Sequence, residues 1–67
     1  MELRFSWYIS NQLQDWIVKQ KPYYPSLEEC IIWVQIKLKR EGSSYELTNE
    51  DLEDIKTAFE FQTSDIN

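Results

Sequence analysis

The sequence predicts a small all-α domain of three helices. Two of the three segments begin with strong helix-capping signals, and apolar residues recur at helical spacing in all three. A single Gly and two Pro interrupt the 67-residue chain. The alternative is an α+β fold with an N-terminal strand, a hairpin around Gly42, or both. We expect one helical domain over residues 1–62 and a loose C-terminal tail over residues 63–67.

The first segment is predicted to be helical from about Ser6 to Lys19. Its apolar residues fall on one helical face, which places Trp16 in the core. The face consists of Phe5, Ile9, Leu13, Trp16 and Ile17. Residues 2–9 also alternate between apolar and polar side chains, as a half-buried strand would, but no second strong strand is evident to pair with them. The helix is therefore preferred, and it should end before the Pro-containing connector at residues 21–25.

The second segment is predicted to be helical over residues 27–41. Ser26 and Glu29 have the spacing of a capping box, and Gly42 suits the left-handed position that follows a helix. One stripe at helical spacing consists of Leu27, Cys30, Ile31, Val34 and Leu38. In the competing hairpin, residues 34–39 would form a strand, but the cap signals at both ends favour the helix.

The third segment is predicted to be helical over residues 49–61. Thr48 is a good N-cap, and Leu47 can pack on Leu52 as a hydrophobic staple. The apolar spacing continues through Leu52, Ile55, Ala58, Phe59 and Gln62. Phe61 lies roughly opposite Leu52 on the helical wheel, so it is either a residue of a frayed end or an exposed anchor for a partner.

Charge is distributed unevenly along the chain. The net charge is −5, and residues 42–67 hold seven acidic residues against one lysine. Such a segment repels phosphate, so we expect no nucleic-acid binding. A helix-turn-helix interpretation is disfavoured for the same reason, since its second helix would be acidic. We expect no membrane interaction either, because no stretch approaches the ~20 apolar residues of a span, and the apparent lack of an export signal favours the cytoplasm.

The residues that usually carry catalysis or bind metals are nearly absent. The chain has no His and one Cys, so a His-activated nucleophile, an intramolecular disulfide and a zinc site are all disfavoured. Cys30 falls on the apolar stripe of the second helix, where burial is expected. Glu50, Glu53 and Asp54 lie side by side, but they are more typical of capping and solvation than of a cation site. We therefore expect neither an enzyme nor a cofactor.

Apolar residues outnumber the positions that the predicted core can use. Ile32, Trp33 and Ile36 lie on the side of the second helix away from its stripe, and the polar residues bordering them are Glu29, Lys39 and Arg40. Trp7 and Val18 similarly leave the main face of the first helix. A helix that is apolar on two sides is either central in its domain or covered by another chain.

The sequence therefore predicts a noncatalytic protein–protein interaction module, such as a small acidic regulator, inhibitor or accessory subunit. The alternative is a structural homo-oligomer stabilised by Trp-rich helix faces. The candidate partner-binding residues are Trp7, Ile32, Trp33, Ile36, Glu50, Asp51, Glu53, Asp54 and Phe61.

Overall fold

Three helices make up the computed structural model, which describes residues 4–64. Their bounds are Trp7–Val18 for α1, Leu27–Arg40 for α2 and Asn49–Thr63 for α3. Within residues 4–64 there is no strand, so the all-α class is confirmed and the α+β alternative is wrong for this part of the chain. Each helix lies within two residues of its predicted bounds. Thr63, predicted to begin a loose tail, is still helical, and residues 65–67 lie outside the described range.

The ends of α2 follow from local hydrogen bonds. The Glu29 N–H donates to Ser26 Oγ at 3.1 Å, and the Ser26 N–H donates to Glu29 Oε1 at 2.8 Å, which confirms the capping box. At the other end Gly42 has φ +82°, and its N–H donates to the Lys39 carbonyl at 2.9 Å. A side chain there would be strained, so glycine allows the chain to leave the helix sharply.

The core forms where one stripe from each helix meets. Its buried members are Ile9, Leu13, Ile17, Cys30, Val34, Leu38, Ile55 and Ala58. α1 packs most extensively against α3, and the contact is extended by Gln62 Nε2, which donates to Gln14 Oε1 at 2.9 Å. The spacing of apolar residues thus identifies the inward side of each helix, although Trp16, expected in the core, is only half-buried.

Trp16 departs from its predicted position in the core. It packs against the buried cluster but stays half-buried, because its indole lies at the edge of the α1–α2 contact. There it stacks on Trp33, with ring centroids 5.5 Å apart and ring planes inclined by 19°. The pair closes one side of the core, with each indole partly in contact with solvent.

Candidate functional site

The first candidate surface is an open groove between α1 and α3, here called the α1–α3 groove. Its volume is about 450 Å³, and its lining includes Trp7, Ser10, Asp54 and Phe61. Trp7 is 79 % exposed and Phe61 is 73 % exposed. Phe61 lies in the last turn of α3, two residues before its final residue Thr63. The fold brings together two exposed aromatic side chains that stand 54 residues apart in sequence.

The first two turns of α3 form an acidic surface that adjoins this groove. Asn49, Glu50, Glu53 and Asp54 line a shallow depression at the start of the helix, and Asp54 also lines the α1–α3 groove. All four side chains are exposed. Aromatic and acidic side chains therefore form one continuous surface with Asp54 at the junction.

Asp51 does not belong to that surface, although it was predicted to contact a partner. It is 9 % exposed, and it falls on the buried stripe of α3 with Ile55 and Ala58. Its Oδ2 accepts hydrogen bonds from the Tyr45 hydroxyl and, at 3.0 Å, from the Thr48 N–H. The Asp51 N–H in turn donates to Thr48 Oγ1 at 3.1 Å. The carboxylate is thus used inside the protein, as the reciprocal half of the α3 capping box.

This buried carboxylate stays ionised because its hydrogen bonds outweigh its burial. Burial alone raises the pKa of Asp51, but the hydrogen bonds from Thr48 and Tyr45 together hold the pKa below its usual value. The same hydrogen bond to Asp51 raises the pKa of Tyr45 above its usual value of 10.0, because it stabilises the protonated phenol. The Arg4 guanidinium lies 5.7 Å from the centroid of the Tyr45 ring. The positive charge of Arg4, in the N-terminal segment, therefore lies close to the loop before α3.

The second candidate surface is the side of α2 opposite Val34, here called the outer face of α2. Ile32 and Ile36 are 48 % and 49 % exposed there, whereas Val34 is fully buried. Trp33 lies on the flank next to α1, half-buried against Trp16, so it is shared between the interior and the surface. The face consists of Glu28, Glu29, Ile32, Ile36, Lys39 and Arg40.

Sequence reasoning missed the aromatic part of the connector between α1 and α2. Tyr23 and Tyr24 line an open groove of about 430 Å³ with Trp16, Trp33 and Ile36. Tyr23 is 87 % exposed. Adjacent tyrosines between two prolines are a signal that could have indicated a surface segment, since the prolines exclude a helix there. The structure adds what the sequence could not, namely that the segment lies beside the stacked indoles.

A further groove, larger in volume, runs beside the loop that joins α2 to α3. It has a volume of about 740 Å³, and Leu38, Leu47 and Leu52 contribute to its lining. Leu47 and Leu52, the two residues predicted to form a hydrophobic staple, are half-buried and pack against the core from this side. The groove is open, and no cluster of three potential metal-binding side chains occurs in residues 4–64.

Cys30 is fully buried on the inner stripe of α2. Burial, and to a smaller extent the neighbouring Glu29 carboxylate, raise the pKa of Cys30 to about 11. A thiol with this pKa carries very little thiolate at neutral pH, and thiolate is the form that attacks substrates or binds metals. Its surroundings are those of a small apolar core residue.

No family model, no curated protein and no solved structure matches the chain. Along residues 4–64, none of the helices is long and apolar enough to cross a membrane. The two features of the molecule that bear on function are therefore the α1–α3 groove and the outer face of α2.

Proposed function

We propose that this protein is a noncatalytic binding module whose α1–α3 groove holds a basic, partly apolar segment of a protein partner. In this role it is a small acidic regulator, inhibitor or accessory subunit that acts in the cytoplasm. One observation carries the proposal: Trp7 and Phe61, which are 79 % and 73 % exposed, line the same groove as Asp54.

Exposed aromatic side chains in a shared concavity are the usual anchors of a protein interface. Trp and Tyr are enriched among the few residues that dominate binding, and aromatic residues in general are enriched at interface cores. Trp7 and Phe61 leave most of their ring surface in water, which costs free energy in the isolated chain. A partner that covers both rings recovers that free energy.

The carboxylates beside the groove indicate the charge of the partner. Glu50, Glu53 and Asp54 lie on adjacent turns of α3, and the segment from residue 42 to residue 67 has a net charge of −6, from seven acids and one lysine. Lysine or arginine side chains on a partner would meet these carboxylates at the rim while apolar side chains enter the groove. Such pairing speeds association and selects against acidic partners more than it adds affinity.

The noncatalytic part of the proposal is supported by the chemistry of the side chains. No histidine occurs in the sequence to act as a base near neutral pH. The single thiol is buried, with its pKa raised to about 11. The exposed carboxylates on α3 lack a second set of ligands within residues 4–64 that would hold a metal ion.

The proposal is tested by capturing partners from the native host and titrating the captured protein against variants. Trp7→Ala and Phe61→Ala should each weaken binding by about 2 kcal/mol or more, roughly 30-fold in Kd, while leaving the melting temperature nearly unchanged. Tyr23→Ala is the matched control, since Tyr23 is also largely exposed, at 87 %, but lies outside the groove. Binding should also weaken clearly as salt rises. A captured protein that binds Trp7→Ala as tightly as the original chain refutes the proposal.

Self-association is the second candidate, and a different surface favours it. Ile32 and Ile36 expose about half of their area on the outer face of α2, away from the α1–α3 groove. Apolar self-association should hold or strengthen as salt rises, opposite to an acid-on-base complex. The two candidates are therefore separable, and they can coexist in one molecule.

A further inference from the structure

The outer face of α2 has a symmetry that the α1–α3 groove lacks. Val34 points into the core, and on an ideal helix Ile32 and Ile36 lie about 20° to either side of the direction opposite to it. They are also equally distant from Val34 along the helix, two residues before it and two residues after it. A half-turn of the helix about the line through the centre of this face, level with Val34, therefore exchanges the positions of Ile32 and Ile36.

The charged residues of the face follow the same symmetry with opposite signs. Glu28 and Glu29 precede Val34 by six and five residues, and Lys39 and Arg40 follow it by five and six. On the helical wheel, Glu28 shares one side of the face with Lys39, and Glu29 shares the other side with Arg40, all about 40–60° from its centre. The same half-turn therefore brings each glutamate to the position of a basic residue, on both sides of the face.

Two α2 helices that run antiparallel, face to face, would bring the isoleucines together and place opposite charges beside each other. Ile32 of one copy would lie level with Ile36 of the other, and Glu28 would come within about 1.5 Å of the level of Lys39 along the axis. Isoleucine at the centre permits the 8–10 Å spacing typical of packed helices. Within residues 4–64, neither Glu28, Lys39 nor Arg40 forms a salt bridge in its own chain, so these charges remain available.

We propose that the outer face of α2 binds the same face of a second copy of this chain, antiparallel, about a two-fold axis level with Val34. The interface is self-complementary, as a two-fold dimer requires. It does not involve the α1–α3 groove, so it stands independently of the proposed partner binding. A dimer of this form leaves both α1–α3 grooves open and makes the assembly bivalent.

Charge reversal with complementation tests the arrangement. Glu28→Lys sets cations against cations across the dimer, and Lys39→Glu sets carboxylates against carboxylates. Each variant alone should weaken dimerisation about tenfold or more, because every change enters a two-fold interface twice. An equimolar mixture of the two should form a heterodimer close to the original affinity. Sedimentation equilibrium at protein concentrations up to about 1 mM measures both.

Matched controls separate this pairing from net charge and from folding. Glu50 is the second residue of α3 as Glu28 is the second residue of α2, so Glu50→Lys makes the same change of charge at the same helix position on another surface. Lys56→Glu is the corresponding control for Lys39→Glu. Both controls should leave dimerisation unchanged. Ile36→Ser, at a half-exposed position, should abolish dimerisation while the monomer stays folded, with its helical content kept and its melting temperature lowered by several degrees at most.

Several results would overturn the proposal. A chain that stays monomeric up to about 1 mM shows that a second copy does not cover this face. Charge-reversal variants that each lose dimerisation but do not recover it when mixed exclude the antiparallel register. An equal loss in Glu50→Lys would mean that overall charge, and not this face, controls association.

Discussion

The two faces of α2 carry similar side chains in opposite surroundings. Val34 and Leu38 on the inner face are 0 % and 2 % exposed, whereas Ile32 and Ile36 on the outer face are about half exposed. An aliphatic side chain on this helix therefore does not by itself identify the interior. What distinguishes the faces is the neighbouring helices on one side and a charged rim on the other.

The acids of α3 show the same contrast. Asp51 is buried and accepts hydrogen bonds from Tyr45 and Thr48, while Asp54, three residues later, is exposed beside the α1–α3 groove. One aspartate holds the helix start in place, and the other presents charge to solvent. In both helices, position relative to the neighbouring elements decides whether a side chain stabilises the fold or remains available for binding.

The largest expected effect is a difference in the free energy of unfolding between substitutions on the inner and the outer face of α2. Leu38→Ala should lower the free energy of unfolding by about 2–5 kcal/mol, because it opens a cavity in the core. Ile36→Ala should cost about 1 kcal/mol or less in the monomer, since half of that side chain is already in water. Urea unfolding at low protein concentration measures both. Similar losses for the two variants would mean that the outer face is packed inside the monomer.

A smaller effect is expected at the boundary between the faces. Trp16→Ala and Trp33→Ala should each cost about 2–3 kcal/mol, less than a fully buried tryptophan, because both indoles are half-buried. The double variant should cost less than the sum by about 0.5–1.5 kcal/mol, the usual coupling of an aromatic pair. Strict additivity would show that the stacked contact between the rings contributes nothing to folding.

The smallest of the three effects distinguishes the two aspartates. Asp51→Ala should cost about 1–2 kcal/mol through the lost cap and the unpaired groups around it, whereas Asp54→Ala should change stability by about 0.5 kcal/mol at most. Thermal and urea unfolding at neutral pH measure the difference. Equal effects would contradict the internal role of Asp51.

The pH dependence of folding stability tests whether the charge of Asp51 contributes to it. Because the pKa of Asp51 is lower in the folded chain, the stability that its charge contributes is complete above the unfolded pKa of about 4 and is lost as pH falls through the folded pKa. Asp51→Asn can keep the hydrogen bonds to its oxygen but not the charge, so its stability should change less between neutral and acidic pH. A pH profile of Asp51→Asn identical to that of the original chain would rule out this linkage.

Much of the fold could be predicted because its signals are local. The Ser26 and Glu29 spacing, the position of Gly42 and the cap at Thr48 each act within a few residues, and the structure places the helix ends there. The inner stripes could be predicted for a related reason. Helical periodicity indicates which residues share a side of a helix, and in α1 and α3 one side is clearly more apolar. α2 is apolar on two sides, and there the longer stripe from Leu27 to Leu38 indicated the inner one.

The candidate surfaces could be predicted only in part, because they depend on contacts that are distant in sequence. Trp7 and Phe61 were each expected to leave the core, but nothing in the sequence indicates that they line one groove. Asp51 was expected at the surface because acids usually are, although its spacing to Ile55 and Ala58 indicates the buried stripe. Its buried carboxylate accepts a hydrogen bond from the Tyr45 hydroxyl, which belongs to a loop whose path no periodicity specifies.

The three tryptophans also give the molecule intrinsic spectroscopic signals. The stacked indoles of Trp16 and Trp33 are close enough, at 5.5 Å, for their electronic transitions to couple and give an exciton signal in ultraviolet circular dichroism. Trp7, 79 % exposed, should emit at the long wavelengths of a solvated indole. A molecule that covers the α1–α3 groove should shift that emission to the blue, whereas a rearrangement between α1 and α2 should alter the exciton signal. Events at the two surfaces can thus be followed separately, without any attached label.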